Sequence, residues 1–508
     1  MTLGLLDTLF LLASLAVAIW IGVRSGKRND SAESFMLGGR DLPWWAILGS
    51  IVATETSTAT VLSLPATGYG EVGMKFLQIA MGYFIGRICV IQILLPLFFQ
   101  GKLFSAYEVL QRRFGMTATH AASLLFLVTR NLGDGLRLFL AALVVQKLMG
   151  WDFHWSAIVI GIVTIFYTYL GGMRSVIWND CIQLVIYMAG GIASLFVIVG
   201  QIDGGWTTVF EYASQTGKLD VIQWSPPKLG SEESMPLWKW LLTDAYSLWA
   251  GVLGGAVLTL GTHGTDQMMV QRYLSARCQR DAGKAIFFSS IVVFIQFALF
   301  LFIGVQLACF YDQQPPAVEF AKSDEVYAHF LIHSFPKNTG LIGLMLAAIL
   351  AAAMSTLSSS LNSSATAVIN DFYLPACRQQ PSQETLFSLT RWLAIGFGVL
   401  QITIGILATG LSATVVQSAL TIAGYSAGLL LGLFLLGVLT RSVGQSAALW
   451  GALTGLICLL IVQFVLPHPS FGGVRIAWPW FALIGSCSTF CTGCLYSMMI
   501  GEGKQPDG

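Results

Sequence analysis

Thirteen apolar runs constrain this chain more than any other feature. A helix needs about 20 apolar residues to cross the hydrocarbon core of a bilayer. Runs of that order lie at about 4–23, 44–66, 76–99, 118–149, 155–172, 175–200, 242–266, 285–309, 339–369, 386–409, 412–439, 446–466 and 477–500. Only 10% of the 508 residues are Asp, Glu, Lys or Arg, and 55% are apolar. That is too little charge to wet a soluble globule. The expected fold is all-α and integral to the membrane. Lys and Arg number 27 against 26 Asp and Glu, which leaves no electrostatic footprint for nucleic acid.

The basic residues set an expected orientation. No Lys or Arg precedes the first run, whereas Arg24, Lys27, Arg28 and Arg40 follow it, the reverse of a signal peptide. Loops then placed in the cytoplasm hold fifteen Lys and Arg, including Arg112, Arg113, Arg272 and Arg277; the opposite loops hold seven. The positive-inside rule puts the N-terminus outside and the C-terminus in the cytoplasm of a multi-pass cell-membrane protein.

Two runs carry polar knots: Ala53-Thr54-Glu55-Thr56-Ser57-Thr58, and Gly261-Thr262-His263-Gly264-Thr265-Asp266-Gln267. Each opens a set of five runs, and because five is odd the second set crosses in the opposite sense. Interrupted helices at matching positions of inverted halves point to a transporter binding site. Unwound backbone at this depth is tolerated where it lines a cavity or binds an ion. Two kinked helices packed on small residues are the plainer alternative. The expected organisation is an extra helix and cytoplasmic loop (1–43), a five-helix repeat (44–200), an extracellular loop (201–241), a second repeat (242–440), and two C-terminal helices with a short tail (441–508).

Run 339–369 holds the densest hydroxyl cluster. Ser355, Ser358, Ser359 and Asn362 fall at i, i+3, i+4 and i+7 on one helix face. Neutral hard oxygens suit a weakly held alkali cation; a serine-rich packing face is the alternative. Intramembrane carboxylates are functional by default, which singles out Asp180 and Glu55. Glu55 could serve a substrate, a proton or an ion, or pair with an arginine. Arg87, Arg130 and Arg137 also lie within runs, and Asp134 shares a face with the last two. Arg130, Asp134 and Arg137 form a structural ladder, or else Arg137 or Arg87 clamps a substrate carboxylate. Three acids balance three arginines here, so added sodium would make the site positive and favour an anionic solute. His263 is either a proton switch or a neutral polar contact. Cys487, Cys491 and Cys494 share a face, more simply as small packing residues than as a metal site.

GGRDLPWW, ATETSTATVLSLPATGYG, SAYEVLQRRFG, YTYLGGMRSVIWNDCIQ, GTDQMMVQRYLSAR and AAAMSTLSSSLNSSATAVINDFY together resemble the sodium:solute symporter family, which includes sodium–glucose, sodium–proline and sodium–sialic acid cotransporters. The resemblance runs from about residue 4 to 500. It implies a leucine-transporter-type inverted repeat of five plus five helices with three extra helices, thirteen spans in all. It also implies a main sodium site made by carbonyls of Ala53, Thr56 and Ala352 and hydroxyls of Ser355 and Thr356. A second sodium site, present in some members, maps to Asp180, Ser355, Ser358 and Ser359, so one or two sodium ions are expected. By alignment Ser57, Thr60, Thr262, His263 and Gln417 face the substrate, joined by Glu55, Arg87 and Arg137. Glu55 stands where the sugar carriers have Asn, and Thr262 and His263 replace their aromatic gate. The sialic-acid carrier's arginine aligns with Gly133, one turn before Arg137.

The implied function is sodium-driven uptake of a small carboxylate-bearing solute (an organic acid, amino acid or sugar acid) by a carrier in the lipid bilayer that acts as a monomer. A neutral sugar or polyol carrier is the nearer alternative. A membrane-embedded enzyme would need clustered catalytic groups, and His120, His154, His329, His333 and His468 are scattered. A channel would show a repeated pore motif. A transporter-like sensor would append a signalling domain.

Overall fold

The computed structural model describes residues 4–26, 31–101, 103–226, 235–316, 320, 325–410, 415–471 and 473–500, without the side chains of 26, 59, 148, 410, 415–420 and 471. Its principal helices are α1 (Leu5–Gly26), α2 (Trp44–Glu55), α3 (Thr58–Tyr69), α4 (Leu77–Cys89), α5 (Met116–Met149), α6 (Phe153–Val199), α7 (Gly255–Gly264), α8 (Gln267–Leu274), α9 (Gln279–Gln313), α10 (Leu341–Ala367), α11 (Gln383–Leu407), α12 (Val415–Leu439), α13 (Gln445–Leu460) and α14 (Trp480–Ile500). Large apolar side chains such as Trp20, Trp155, Phe196, Leu407, Phe464 and Met498 are exposed. Such a surface is stable against lipid tails and not against water.

Among the described residues nine helices are long and apolar enough to cross a membrane, or ten with the bent pair α2–α3. The apolar runs led to an expectation of thirteen, and the shortfall has physical causes. The 47 residues of α6 would extend about 70 Å at 1.5 Å per residue, more than twice a bilayer core. The element breaks at Gly172 (φ 54°, ψ −156°), a conformation open to glycine, and so carries two expected runs. Helix α5 interrupts its apolar stretch with Arg130, Asp134 and Arg137. Run 242–266 becomes a π-helical turn over Ala250–Gly254, then α7, a break at Thr265–Asp266, and α8.

Helix α10 lies at the centre. Every residue in it except Leu341 and Leu344 is buried, and it packs against α1, α5, α6 and α11. Around it, glycines allow close crossings. A Cβ at Gly304 of α9 would stand 2.0 Å from the Pro65 carbonyl oxygen of α3, and one at Gly68 would stand 2.0 Å from that of Leu301. Backbone cannot yield as a flexible side chain would. Gly304→Ala is therefore expected to destabilise the fold by about 1–3 kcal/mol through overpacking. A thermal midpoint of the purified variant equal to wild type would show that α3 and α9 can separate freely. In the loop outside α3, Lys218 Nζ donates to the carbonyls of Tyr69 (2.7 Å) and Gly70 (2.6 Å). It thereby satisfies carbonyls at that helix end, and its partial burial pushes the ammonium below the usual lysine range.

Candidate ion and substrate site

Helices α2 and α3 meet at 62°. Thr56 and Ser57 between them are extended (ψ 106° and 171°), so the last carbonyls of α2 lose the donors that a continuing helix would bring. The local sequence favours the break, because Ser and Thr side chains compete for backbone groups. Thr56 Oγ1 donates to the Val52 carbonyl at 2.8 Å, and the Ser57 N–H donates to Thr60 Oγ1 at 3.2 Å. Helix α10 lies against this break: Thr356 Oγ1 reaches the Thr54 carbonyl at 3.4 Å, and Thr58 Oγ1 the Ile349 carbonyl at 3.4 Å. Ala53, Thr56, Ala352, Ser355 and Thr356 are all buried. The five residues expected at the main sodium site thus share one dry region of carbonyl and hydroxyl oxygens, a donor set that fits an alkali cation. Gln296 of α9, which no motif marks, donates to Thr56 Oγ1 at 2.6 Å.

Asp180 does not stand alone. Its Oδ1 accepts from Ser355 Oγ at 2.6 Å and its Oδ2 from Ser50 Oγ at 2.5 Å. Its counter-ion is Arg272, whose Nη2 lies 3.2 Å from Oδ2. This corrects the placement of Arg272 in a cytoplasmic loop: it is fully buried on α8, a helix with all eight residues buried. The guanidinium also donates to Ser50 Oγ (2.8 Å), the Met268 carbonyl (2.5 Å), Thr54 Oγ1 and Ser359 Oγ. The hydroxyls of Ser358 and Ser359 both turn back to the Ser355 carbonyl, at 3.1 and 2.8 Å. Of the four residues expected at the second sodium site, Arg272 thus contacts two, Asp180 and Ser359.

A cavity of about 160 Å³ opens beside the break, lined in part by Glu55, Arg130, Arg137, Thr262, His263 and Asp266. Four of the expected substrate residues, Glu55, Arg137, Thr262 and His263, are among these. Ser57 and Thr60 do not line it, since they cap α3, and the Gln417 side chain lies outside the described residues. Arg87 does not line it either. That arginine is fully buried behind Glu55, with Nη2 at 2.5 and 2.6 Å from the two carboxylate oxygens and Nη1 2.5 Å from Ser289 Oγ. The pairing of Glu55 with an arginine, one of the readings left open, is the one present. His263 Nε2 stands 3.1 Å from Glu55 Oε1, and its Nδ1 is 3.1 Å from Thr259 Oγ1.

The ladder on α5 is also present. Arg130 pairs with both oxygens of Asp134 at 2.7 and 3.1 Å, and Arg137 Nη1 pairs with Oδ1 at 2.5 Å. Asp134 is fully buried, while Arg137 keeps 21% of its side chain exposed. A guanidinium has five N–H donors, and among the described residues Asp134 is the one side-chain partner of Arg137. Arg130 also reaches Asp266, the N-cap of α8, at 3.5 Å. Gly133 lines the cavity, and a Cβ there would meet nothing within 4 Å.

A family model described as "SSF: Sodium:solute symporter family" matches residues 35–455. The chain belongs to the sodium:solute symporter family. Its relatives in that family include sodium-coupled monocarboxylate transporter 2 of Mus musculus, 28% identical over 91% of this chain and 72% of the relative. The sodium/iodide cotransporter of Homo sapiens is 27% identical over 92% and 71%. The sodium/sialic acid symporter SiaT of Proteus mirabilis is 26% identical over 99% and 97%. A solved substrate-bound, outward-open Na+-coupled sialic acid symporter superposes with a TM-score of 0.85 at 26% identity, covering 99% of this chain and 100% of that one. Mhp1, a nucleobase-cation-symport-1 family transporter, shares the leucine-transporter-like fold at a TM-score of 0.59 and 12% identity, over 92% and 94%. These are transporters and not enzymes. As a sodium:solute symporter, the chain is a multi-pass membrane protein that couples sodium to movement of a small solute.

Proposed function

We propose that this symporter uses inward sodium flow to take up a small carboxylate-bearing solute by alternating access. The path runs through thirteen spans arranged as two inverted sets of five plus three, with the N-terminus outside and the C-terminus in the cytoplasm. Sodium binds at the carbonyls of Ala53, Thr56 and Ala352 and the hydroxyls of Ser355 and Thr356. The observation that carries the substrate class is Arg137: a cationic fork on the cavity wall, anchored from behind by a buried Asp134 and with donors left for a ligand. Arginine matches the bidentate geometry of a carboxylate, and a lysine in its place offers only a point charge. Two of the relatives, a sodium-coupled monocarboxylate transporter and a sodium/sialic acid symporter, are named for acidic solutes, which supports this reading.

The test is sodium-driven uptake into proteoliposomes of short monocarboxylates and a sialic acid, each against its amide. Acids are expected to be transported and amides to be poor competitors. Arg137→Lys is expected to raise the apparent KM for the acid about tenfold, equivalent to about 1.4 kcal/mol, while the sodium half-saturation stays within twofold. Equal competition by acid and amide, or preferred uptake of a neutral polyol, would overturn the carboxylate assignment.

A further inference from the structure

Two ligating side chains lie outside the bundle core, on the short helix Glu325–His333 between α9 and α10. His329 and His333 stand one turn apart on one face of it, with ring centroids 4.3 Å apart and ring planes at 36°. His333 is exposed and His329 is half-buried. The Tyr311 hydroxyl of α9 lies 2.8 Å from His329 Nδ1. When Nδ1 carries the proton and donates it to that phenol oxygen, Nε2 holds the free lone pair. Partial burial and the neighbouring His333 both hold His329 below the usual histidine range, so its ring is neutral near pH 7. Glu325, one turn earlier, is occupied by Lys147, whose Nζ lies 2.6 Å from its Oε1. Among the described residues no three His, Cys, Asp or Glu side chains come together to hold a metal. The two imidazoles would therefore act as a bidentate clip, with water completing the coordination of whatever they bind.

We infer that His329 and His333 chelate a divalent transition-metal ion of the zinc, copper and nickel class on the side proposed as extracellular, and that the bound ion restrains the outer end of α3. Histidines at i and i+4 are the spacing by which a helix presents two imidazoles to one zinc ion, and imidazole suits this class of metal. Zinc–nitrogen bonds are about 2.0–2.1 Å long, and rings already side by side reach that geometry by side-chain rotation alone. Tyr311 supplies the outer hydrogen bond that fixes the tautomer and the ring orientation of a ligating histidine. The link to α3 runs through the same residues. The short helix packs against α3. The rings of Tyr69 at the end of α3, Tyr311, Phe320 and His329 form one cluster, with neighbouring centroids 5.1–6.3 Å apart. An ion that fixes His329 between Tyr311 and His333 therefore stiffens the packing around Tyr69. Alternating access moves the repeats against each other, and α3 is the second half of the broken helix at the candidate ion site. The inference is independent of the carboxylate reading above.

The experiment is calorimetric titration of the purified full-length protein with zinc, followed by deuterium exchange with and without the metal. Wild type is expected to bind one zinc ion per chain at this pair, with a rise in thermal midpoint as zinc is added. His333→Gln changes an exposed side chain, so it is expected to fold as wild type does and to lose this ion. Tyr311→Phe keeps the ring and removes only the hydroxyl, and is expected to weaken zinc binding about tenfold. His154→Gln removes a different surface histidine, the one beside Asp152, and is expected to leave the ion at this pair in place. Zinc is expected to slow exchange of the amides near Tyr69 in wild type and not in His333→Gln. Equal zinc binding by wild type and folded His333→Gln would overturn the site. Zinc bound at this pair with unchanged exchange near Tyr69 would overturn its action on α3 and leave the site standing.

Discussion

Replacing Ser355 and Thr356 together by alanine is expected to raise the sodium half-saturation for uptake about a hundredfold. Both hydroxyls are buried beside the α2–α3 break, and the substitutions remove little volume, so the helix can remain in place. By analogy with hydrogen bonds to charged groups, each oxygen contributes about 1.5 kcal/mol to holding the ion, roughly tenfold in affinity. The single Thr356→Ala variant matters for interpretation, because Ser355 also serves Asp180 and Thr356 does not. It is expected to shift the half-saturation about tenfold. The measurement is the sodium dependence of uptake at equal amounts of reconstituted protein. A double variant that is folded and keeps the wild-type half-saturation would remove these hydroxyls from the ion site.

The second large effect concerns folding. Glu55 and Arg87 form a buried pair, with the arginine fully enclosed. Removing one partner leaves an uncompensated charge at membrane depth, which costs about 3–5 kcal/mol, a large part of the 5–15 kcal/mol that typically holds a domain together. Arg87→Met is therefore expected to collapse the yield of folded protein. Arg87→Met combined with Glu55→Gln is expected to recover much of it, because the pair is then replaced by neutral groups. Thermal midpoints of the two single variants and the double variant give the coupling directly. If Arg87 instead met the substrate, the single variant would fold normally and lose only solute affinity, and the second substitution would rescue nothing.

These cases show where sequence reading reaches and where it stops. The break at Thr56–Ser57 was legible because hydroxyl residues interrupt an apolar run, and local chemistry alone disfavours helix there. The Arg130–Asp134–Arg137 ladder was legible because its members sit three and four residues apart on one helix. Glu55–Arg87 and Asp180–Arg272 join residues 32 and 92 positions apart, and no periodicity encodes such partners. Arg272 was misplaced for a related reason. The polar stretch from Thr262 to Gln267 ended the apolar run, so the residues after it resembled a loop. In the structure Asp266 caps a new helix there, its carboxylate accepting from the Met268 N–H at 2.8 Å. The Asp at position 266, a residue type suited to an N-cap, and the uncompensated charge of Asp180 are the two sequence signals from which a buried cation could have been read.

The burial of α10 bears on how the carrier can move. Its backbone amides are shielded from both solvents, so they can exchange with deuterium only when a large part of the bundle opens. The α2–α3 break beside it already lacks part of its helical hydrogen bonding. Its amides are the ones placed to exchange whenever the cavity wets. Deuterium uptake during turnover should therefore be fast around Thr56 and slow around Ser355, although the two flank the proposed ion site. The slow half of that site then behaves as a fixed frame against which the fast half opens and closes.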